Sequence, residues 1–293
     1  MKHLAVILII LLLVSGCGRK EEKPLVIGVG IWVGFMPLLY ARDKGLLDSA
    51  NIKLYVVSTI GELVHLYDSG LIDGFAATQV EAGQPHDRSS LVPVLLFDRS
   101  CGGDMIMANF TEEDLSKDSE PVYLYYKPDT VSDILLESFK NRPFFRKVMS
   151  RLQYVSINQA EINPEKLTSG KYIVITFSPY DAALSKKGFR TILSSKDAEI
   201  PIIDALFVTS GKTKAHRDDF RKIKAGMSEG LKALNKDPEG FYRYMKNYTE
   251  GQSFSEFMTS INTIQWLIGM EDTPEANDFM KAAGLRPGEL CVD

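Results

Sequence analysis

Cysteine is scarce in this chain, with three in 293 residues at positions 17, 101 and 291. That excludes a small disulfide-stapled scaffold. The four histidines are scattered at 3, 65, 86 and 216, without the spacing of a structural zinc site. A basic surplus is missing as well: 34 Lys and Arg stand against 38 Asp and Glu, a formal net charge of −4. Nucleic-acid binding wants a basic stripe, which this balance argues against. No Gly-x-Ser-x-Gly elbow, His-Glu-x-x-His motif or cysteine cluster offers a familiar catalytic centre. Beyond the N-terminus there is no membrane-length apolar run, because Leu91–Phe97 and Ile202–Val208 are only strand-length.

The one longer run is Leu4 to Val14, eleven apolar residues behind Lys2. A bilayer span needs roughly 20 residues, so this run suits the hydrophobic region of a signal peptide over residues 1–16. Val14-Ser15-Gly16-Cys17 then resembles the bacterial lipobox, in which the cysteine is lipidated and becomes the new N-terminus. An ordinary signal peptide with an incidental cysteine is the alternative. Residues 17–24 are charged and carry no core-forming run, so they read as a mobile tether. Two or more acyl chains, palmitate among them, would hold the protein on a membrane where one chain binds only marginally. Removing residues 1–16 takes away Lys2 and no acid, leaving a net charge of −5. Once Cys17 is spent on lipid, Cys101 and Cys291 remain; in an oxidising compartment they either pair or stay separate buried thiols.

From Pro24 the chain alternates strands and helices, the pattern of α/β layers around a mostly parallel sheet. Leu25–Ile31 reads as a buried strand, and Pro37–Gly45 as a helix with proline in its first turn and glycine at its C-cap. A second cycle follows the charged stretch Thr111–Glu120, and from His216 the pattern is mostly amphipathic helix. A faint internal echo pairs Ser69-Gly70, Thr78 and Ala82 with Ser169-Gly170, Ser178 and Ala182. Two similar lobes are implied, with Thr78 and Ser178 at strand ends where ligands of open α/β sheets sit.

The segment Ile27-Gly-Val-Gly-Ile-Trp-Val-Gly-Phe-Met-Pro-Leu-Leu-Tyr-Ala-Arg-Asp-Lys-Gly-Leu-Leu47 resembles the opening of the solute-binding proteins of ABC importers for nitrate, taurine, alkanesulfonates and thiamine-type pyrimidines. Asp68-Ser-Gly-Leu-Ile-Asp-Gly74 is similar to that family's helix-to-strand turn, and Phe97-Asp-Arg-Ser-Cys-Gly-Gly-Asp-Met-Ile-Met-Ala108 to its crossing segment. Ser178-Pro-Tyr-Asp-Ala-Ala183 stands where the family has Glu-Pro-Tyr, with Lys187-Gly188 following. Together these pieces span roughly residues 25 to 265. The resemblance implies a type II periplasmic binding protein: lobe I from 25–108 plus 205–293, lobe II from 109–204, and two crossings. The family's lobe-two pieces are replaced by Asp114-Leu-Ser-Lys-Asp118 and Lys127-Pro-Asp-Thr-Val-Ser132, so ligand specificity does not transfer.

Candidate ligand-binding residues follow from these pieces. Trp32 and Phe35 offer flat apolar walls around Gly34, which lets backbone approach a ligand or turn tightly. Ser100 and Asp104 flank a Gly102-Gly103 joint suited to a hinge. Thr130 and Ser132 are candidate caps for a helix whose N–H groups would suit an anion, with Lys127 and Arg99 as the nearest basic residues. Thr78, Ser178 and Tyr180 complete the set. His65, the histidine nearest the early motifs, falls within a helix. The expectation is a monomeric, non-catalytic lipoprotein at the bacterial cell envelope. It would need no cofactor or metal, take up a small anionic or aromatic/polar solute, and deliver it to an ABC permease. A sensory binding protein, or a pyrimidine-synthesis-like enzyme on the same scaffold, are the alternatives.

Overall fold

The computed structural model describes residues 23–285, except 59, together with 290. The expected signal peptide, Cys17, most of the tether and Cys291 lie outside the described residues. So does any pairing of Cys291 with the half-buried Cys101, whose thiol lies 3.8 Å from Gln265 Oε1.

Strand β1 (Leu25–Val29) is apolar apart from Gly28 and pairs in parallel with β2 (Ile52–Val56) and β3 (Gly74–Thr78). β2 alternates half-buried and exposed residues, as an edge strand must, whereas β3 is buried throughout. Two helices connect them: α1 (Met36–Asp43), started by Pro37, and α2 (Ile60–Asp68). A Cβ on Gly28 would stand 2.4 Å from a Leu63 methyl, so glycine lets α2 pack close on β1. β4 (Leu91–Ser100), β10 (Ile203–Thr209) and the short β11 (Ile264–Trp266) complete a six-stranded sheet in the order β11-β4-β10-β3-β1-β2.

The second sheet is built from β5 (Asp104–Ala108), β6 (Val122–Tyr126), β7 (Leu152–Ser156), β8 (Lys171–Phe177) and β9 (Arg190–Ser194). Its order is β7-β6-β8-β5-β9. Helices α3 (Glu112–Ser116), α4 (Val131–Lys140), α5 (Pro143–Val148) and α6 (Asp181–Lys186) belong to it. Its core gathers Ile106, Leu124, Leu135, Phe139 and Ile173, separate from the first lobe's core around Ile27, Leu39, Phe97 and Phe257. Because β5 pairs with β8 and β9, the first crossing comes at residues 101–103 and Asp104–Ala108 belong to the second lobe. The sequence-based limit at 108 therefore lies one strand too late. The return runs through residues 195–202 into β10.

After the return the chain adds helices to the first lobe: α7 (Ser210–Thr213), α8 (Arg217–Lys236), α9 (Pro238–Met245), α10 (Phe254–Ile261) and α11 (Pro274–Ala282). α8 presses on α1 at Gly230, where a Cβ would meet Pro37 O at 2.3 Å. Among the described residues, no helix is long and apolar enough to cross a membrane.

Candidate functional site

The carboxyl-end rims of both sheets meet at the two crossings. On the first sheet, register puts Asp204 of β10 opposite Thr78 of β3 on one side and Asp98 of β4 on the other. Two acids therefore face each other directly across neighbouring strands, an arrangement that costs stability when both are charged. The chain leaving β1 reaches Trp32, whose indole Nε1 donates to Asp98 Oδ1 at 3.4 Å. A Cβ on Gly34 would stand 2.2 Å from Asp98 Oδ2. Gly34 thus makes room for a buried carboxyl of the protein, where the sequence had suggested a ligand or a tight turn.

Beyond Thr78 the chain turns into Glu81, which reaches back to accept from Thr78 N (3.2 Å) and from the Thr78 hydroxyl. Its other oxygen crosses to the second lobe and accepts from Val131 N at 3.0 Å. Val131 opens α4, and Thr130 is that helix's N-cap: its hydroxyl accepts from Ser132 N at 3.2 Å and donates to Lys127 O at 2.7 Å. Asp133 N is bonded to Thr130 O. The leading amides of α4 are thus engaged, one of them by a carboxylate. Where an anion was expected, the chain supplies Glu81. Ser132 itself is fully buried, its hydroxyl accepting from Gln159 Nε2 at 3.2 Å.

Glu81, Asp98, Asp104 and Asp204 are 1, 0, 4 and 4% exposed. Burial pushes the Asp98 carboxyl up to about 8 and Asp104 up to about 7; each also feels a second acid, Asp104 in the first case and Glu81 in the second. Asp204 rises well above its ordinary value through burial, then through Asp98, Asp104 and Glu81. Burial raises Glu81 too, against the opposing hydrogen bonds from Thr78 and Val131. Asp98 and Asp204 lie opposite each other in adjacent strands, and Asp98 Oδ2 has no hydrogen-bond donor. Two carboxyls buried opposite each other resist ionising together, so burial and their mutual repulsion hold both above the ordinary carboxylate range.

Aromatic rings close the site. Phe177, at the end of β8, meets Trp32 edge-on at 5.9 Å and Tyr180 at 5.3 Å, while Phe35 packs on Phe97 at 5.8 Å. Tyr180 OH donates to Ser58 O at 3.4 Å across the cleft. The cavity bounded by Trp32, Phe35, Thr78, Asp104, Phe177 and Asp204 measures about 20 Å³. That is space for about one water, so a solute must part the lobes to enter.

The remaining sequence candidates fall elsewhere. Ser100 belongs to the joint: its hydroxyl bonds Ser195 Oγ at 2.7 Å and accepts from Asp104 N at 3.1 Å. Ser178 is buried behind the cleft with its N–H on Gly103 O at 2.9 Å. Gly103 allows Trp32 to lie against the crossing, since a Cβ would meet the indole at 2.5 Å. Lys127 lines an adjoining cavity with Glu81 and Thr130. Arg99 points away, its guanidinium 4.4 Å over the Phe279 ring. His65 lies on α2.

Sequence reasoning passed over Glu81, Asp98, Asp204, Phe177 and Gln159. Signals existed for the first three. Thr78-x-x-Glu81 is a Ser/Thr-x-x-Glu box behind a strand, and Asp98 and Asp204 are lone acids within apolar strands.

No family model matches this chain, and neither does any curated protein sequence. Solved structures do. The ligand-binding component of an ABC-type import system from Staphylococcus aureus, with zinc bound, superposes at a TM-score of 0.61 with 18% identity. The match covers 91% of this chain and 94% of that one. The aliphatic sulphonate binding protein SsuA of Escherichia coli gives 0.62 at 14% identity, covering 90% and 86%. A Candida albicans protein described as having the generic periplasmic binding protein fold gives 0.60 at 13% identity, covering 90% of each. The fold is that of a periplasmic binding protein. On a periplasmic-binding-protein frame, residues 101–103 and 195–202 form the joint between lobes. Gln79 braces it, donating to Pro201 O at 2.6 Å and accepting from Ile203 N at 3.0 Å.

Proposed function

We propose that this chain is an extracytoplasmic solute-binding protein whose lobes close on a small molecule and deliver it to an ABC importer. The observation that carries the reading is the Glu81–Val131 hydrogen bond at the mouth of a buried polar cleft. It joins the lobes beside side chains that burial alone would not select. Polar groups cost free energy in a core, and a cluster of them at an interlobe cleft is the signature of a ligand site. The solved structures of the same fold support the import role through the binding proteins they represent.

Thermal unfolding of the chain from Gly18 onward, against a panel of small solutes, tests this. A ligand at about 100 times its dissociation constant adds roughly 2.7 kcal/mol, visible as a shift of several degrees. A hit recovered unchanged by mass spectrometry supports capture and delivery. A hit that is chemically converted would replace this reading with an enzyme.

The tether belongs to the same proposal. Labelled palmitate is expected to enter the full-length protein in a bacterial host and to be lost in Cys17→Ser. Equal labelling of the two would remove the lipid anchor.

A further inference from the structure

We propose that the cleft selects a small organic cation, a protonated amine or amidine carried against an aromatic wall. This rests on the solute-binding reading above and names the solute's charge.

Four buried carboxyl side chains converge from β4, β5, β10 and the turn after β3. The charged groups that act on Asp204 are all acids, namely Asp98, Asp104 and Glu81. Among the described residues no ion pair engages any of the four, and Lys127 lines the adjoining cavity with Glu81 and Thr130, not the one that Asp104 and Asp204 line. Asp98, fully buried, holds an oxygen with no donor at all. Such a cluster is costly in an empty protein, and a bound cation relieves the cost by supplying both positive charge and N–H donors.

The apolar part of the site fits the same class. Trp32, Phe35 and Phe177 present ring surfaces to the cavity that Asp104 and Asp204 also line. Carboxylates beside aromatic faces are the complement of an ammonium group, attracted by charge and by the ring quadrupole. An anion meets the opposite field, and the α4 amides that would welcome it are occupied by Glu81 and Thr130. Among the described residues, no three His, Cys, Asp or Glu side chains are arranged to hold a metal ion. The geometry therefore favours an organic cation over a bare one.

Calorimetry and thermal unfolding with three matched sets test the proposal. The cations are choline, agmatine and benzylamine; the anions are propanesulfonate, nitrate and benzoate; benzyl alcohol is the neutral control. A cation is expected to bind at least tenfold more tightly than any anion or neutral compound. Asp104→Asn and Asp204→Asn are each expected to weaken it tenfold or more. The wild-type protein supplies a readout that needs no variant. At pH 7 a cation displaces protons held among Asp98, Asp104 and Asp204, so titrations in buffers of different ionisation enthalpy should reveal net proton release. An anion or neutral compound as the best ligand, or a cation bound without proton release and unaffected by both substitutions, overturns the charge class and leaves solute binding standing. Silence across all three sets overturns both.

Discussion

Asp204→Asn is expected to raise the melting temperature of the ligand-free protein at pH 8 by several degrees and to flatten its dependence on pH. Asp204 is buried opposite Asp98 in adjacent strands, and the Asp98 carboxyl helps push it above its ordinary value. An asparagine of nearly the same shape removes a carboxyl that burial keeps from ionising and brings an N–H donor to Asp98 Oδ2, which has none. Satisfying a buried, unpartnered carboxyl oxygen is worth on the order of 2 kcal/mol, and a protein of this size gains roughly 2–4 °C per kcal/mol.

The sign of the pH dependence follows from the same groups. Asp98 and Asp104 titrate near 8 and 7 in the folded protein, against an ordinary value of 3.8. The folded state therefore binds more protons than the unfolded one between about pH 4 and 8, and stability falls as pH rises through that window. Carboxylates held low act in the other direction below it. One is Asp118, through its bond from Lys171; protonating it destabilises the protein as pH drops. Stability should peak in mildly acidic solution, and melting curves from pH 4 to 8 measure it. A wild-type curve flat from pH 5 to 8, or an Asp204→Asn curve parallel to the wild type, would mean the carboxyl pair is better hydrated than its burial indicates.

Much of the lobe architecture was legible because it is written in short-range patterns. The Gly102-Gly103 pair marks the joint, where Gly102 adopts φ +123° and Gly103 admits the Trp32 ring. The strand after that pair was assigned to the wrong lobe. Met105–Ala108 is as apolar as any first-lobe strand, and only its partners decide its sheet; the ladder from Met107 runs to Val174 and Thr191, far along the chain. Periodicity carries no information about pairings over such separations. The occupant of the first α4 amide was hidden from the sequence for a related reason. Thr130 is readable as a cap from its neighbours, but the group that fills the next amide, Glu81, lies fifty residues earlier. The charge of the cleft is likewise a property of assembly: Asp98, Asp104 and Asp204 each carry a local signal, but that they form one cluster shows only where three strands bring them together.

Glu81→Ala is expected to shift the molecule toward an open arrangement of its lobes and to create an anion site that the wild-type protein lacks. In the closed form Glu81 is the carboxylate that ties the end of β3 to the first turn of α4. A hydrogen bond to a charged group contributes about 1.5–3 kcal/mol, so its loss should change the open-to-closed ratio by roughly tenfold to a hundredfold. Tyr180–Ser58 is a longer, neutral contact and cannot make up that difference. Probe pairs placed one on each lobe, read by single-molecule energy transfer or electron-spin distances, report the shift directly. With the carboxylate gone, Val131 N is left without a partner at the positive end of a ten-residue helix. Sulfate or propanesulfonate should then raise the melting temperature of Glu81→Ala while leaving the wild type unmoved. Unchanged lobe distances together with no anion response would reduce Glu81 to a local cap on its own turn. Opening accompanied by anion binding would identify it as the chain's own occupant of the site, displaced when the lobes part and restored when they close.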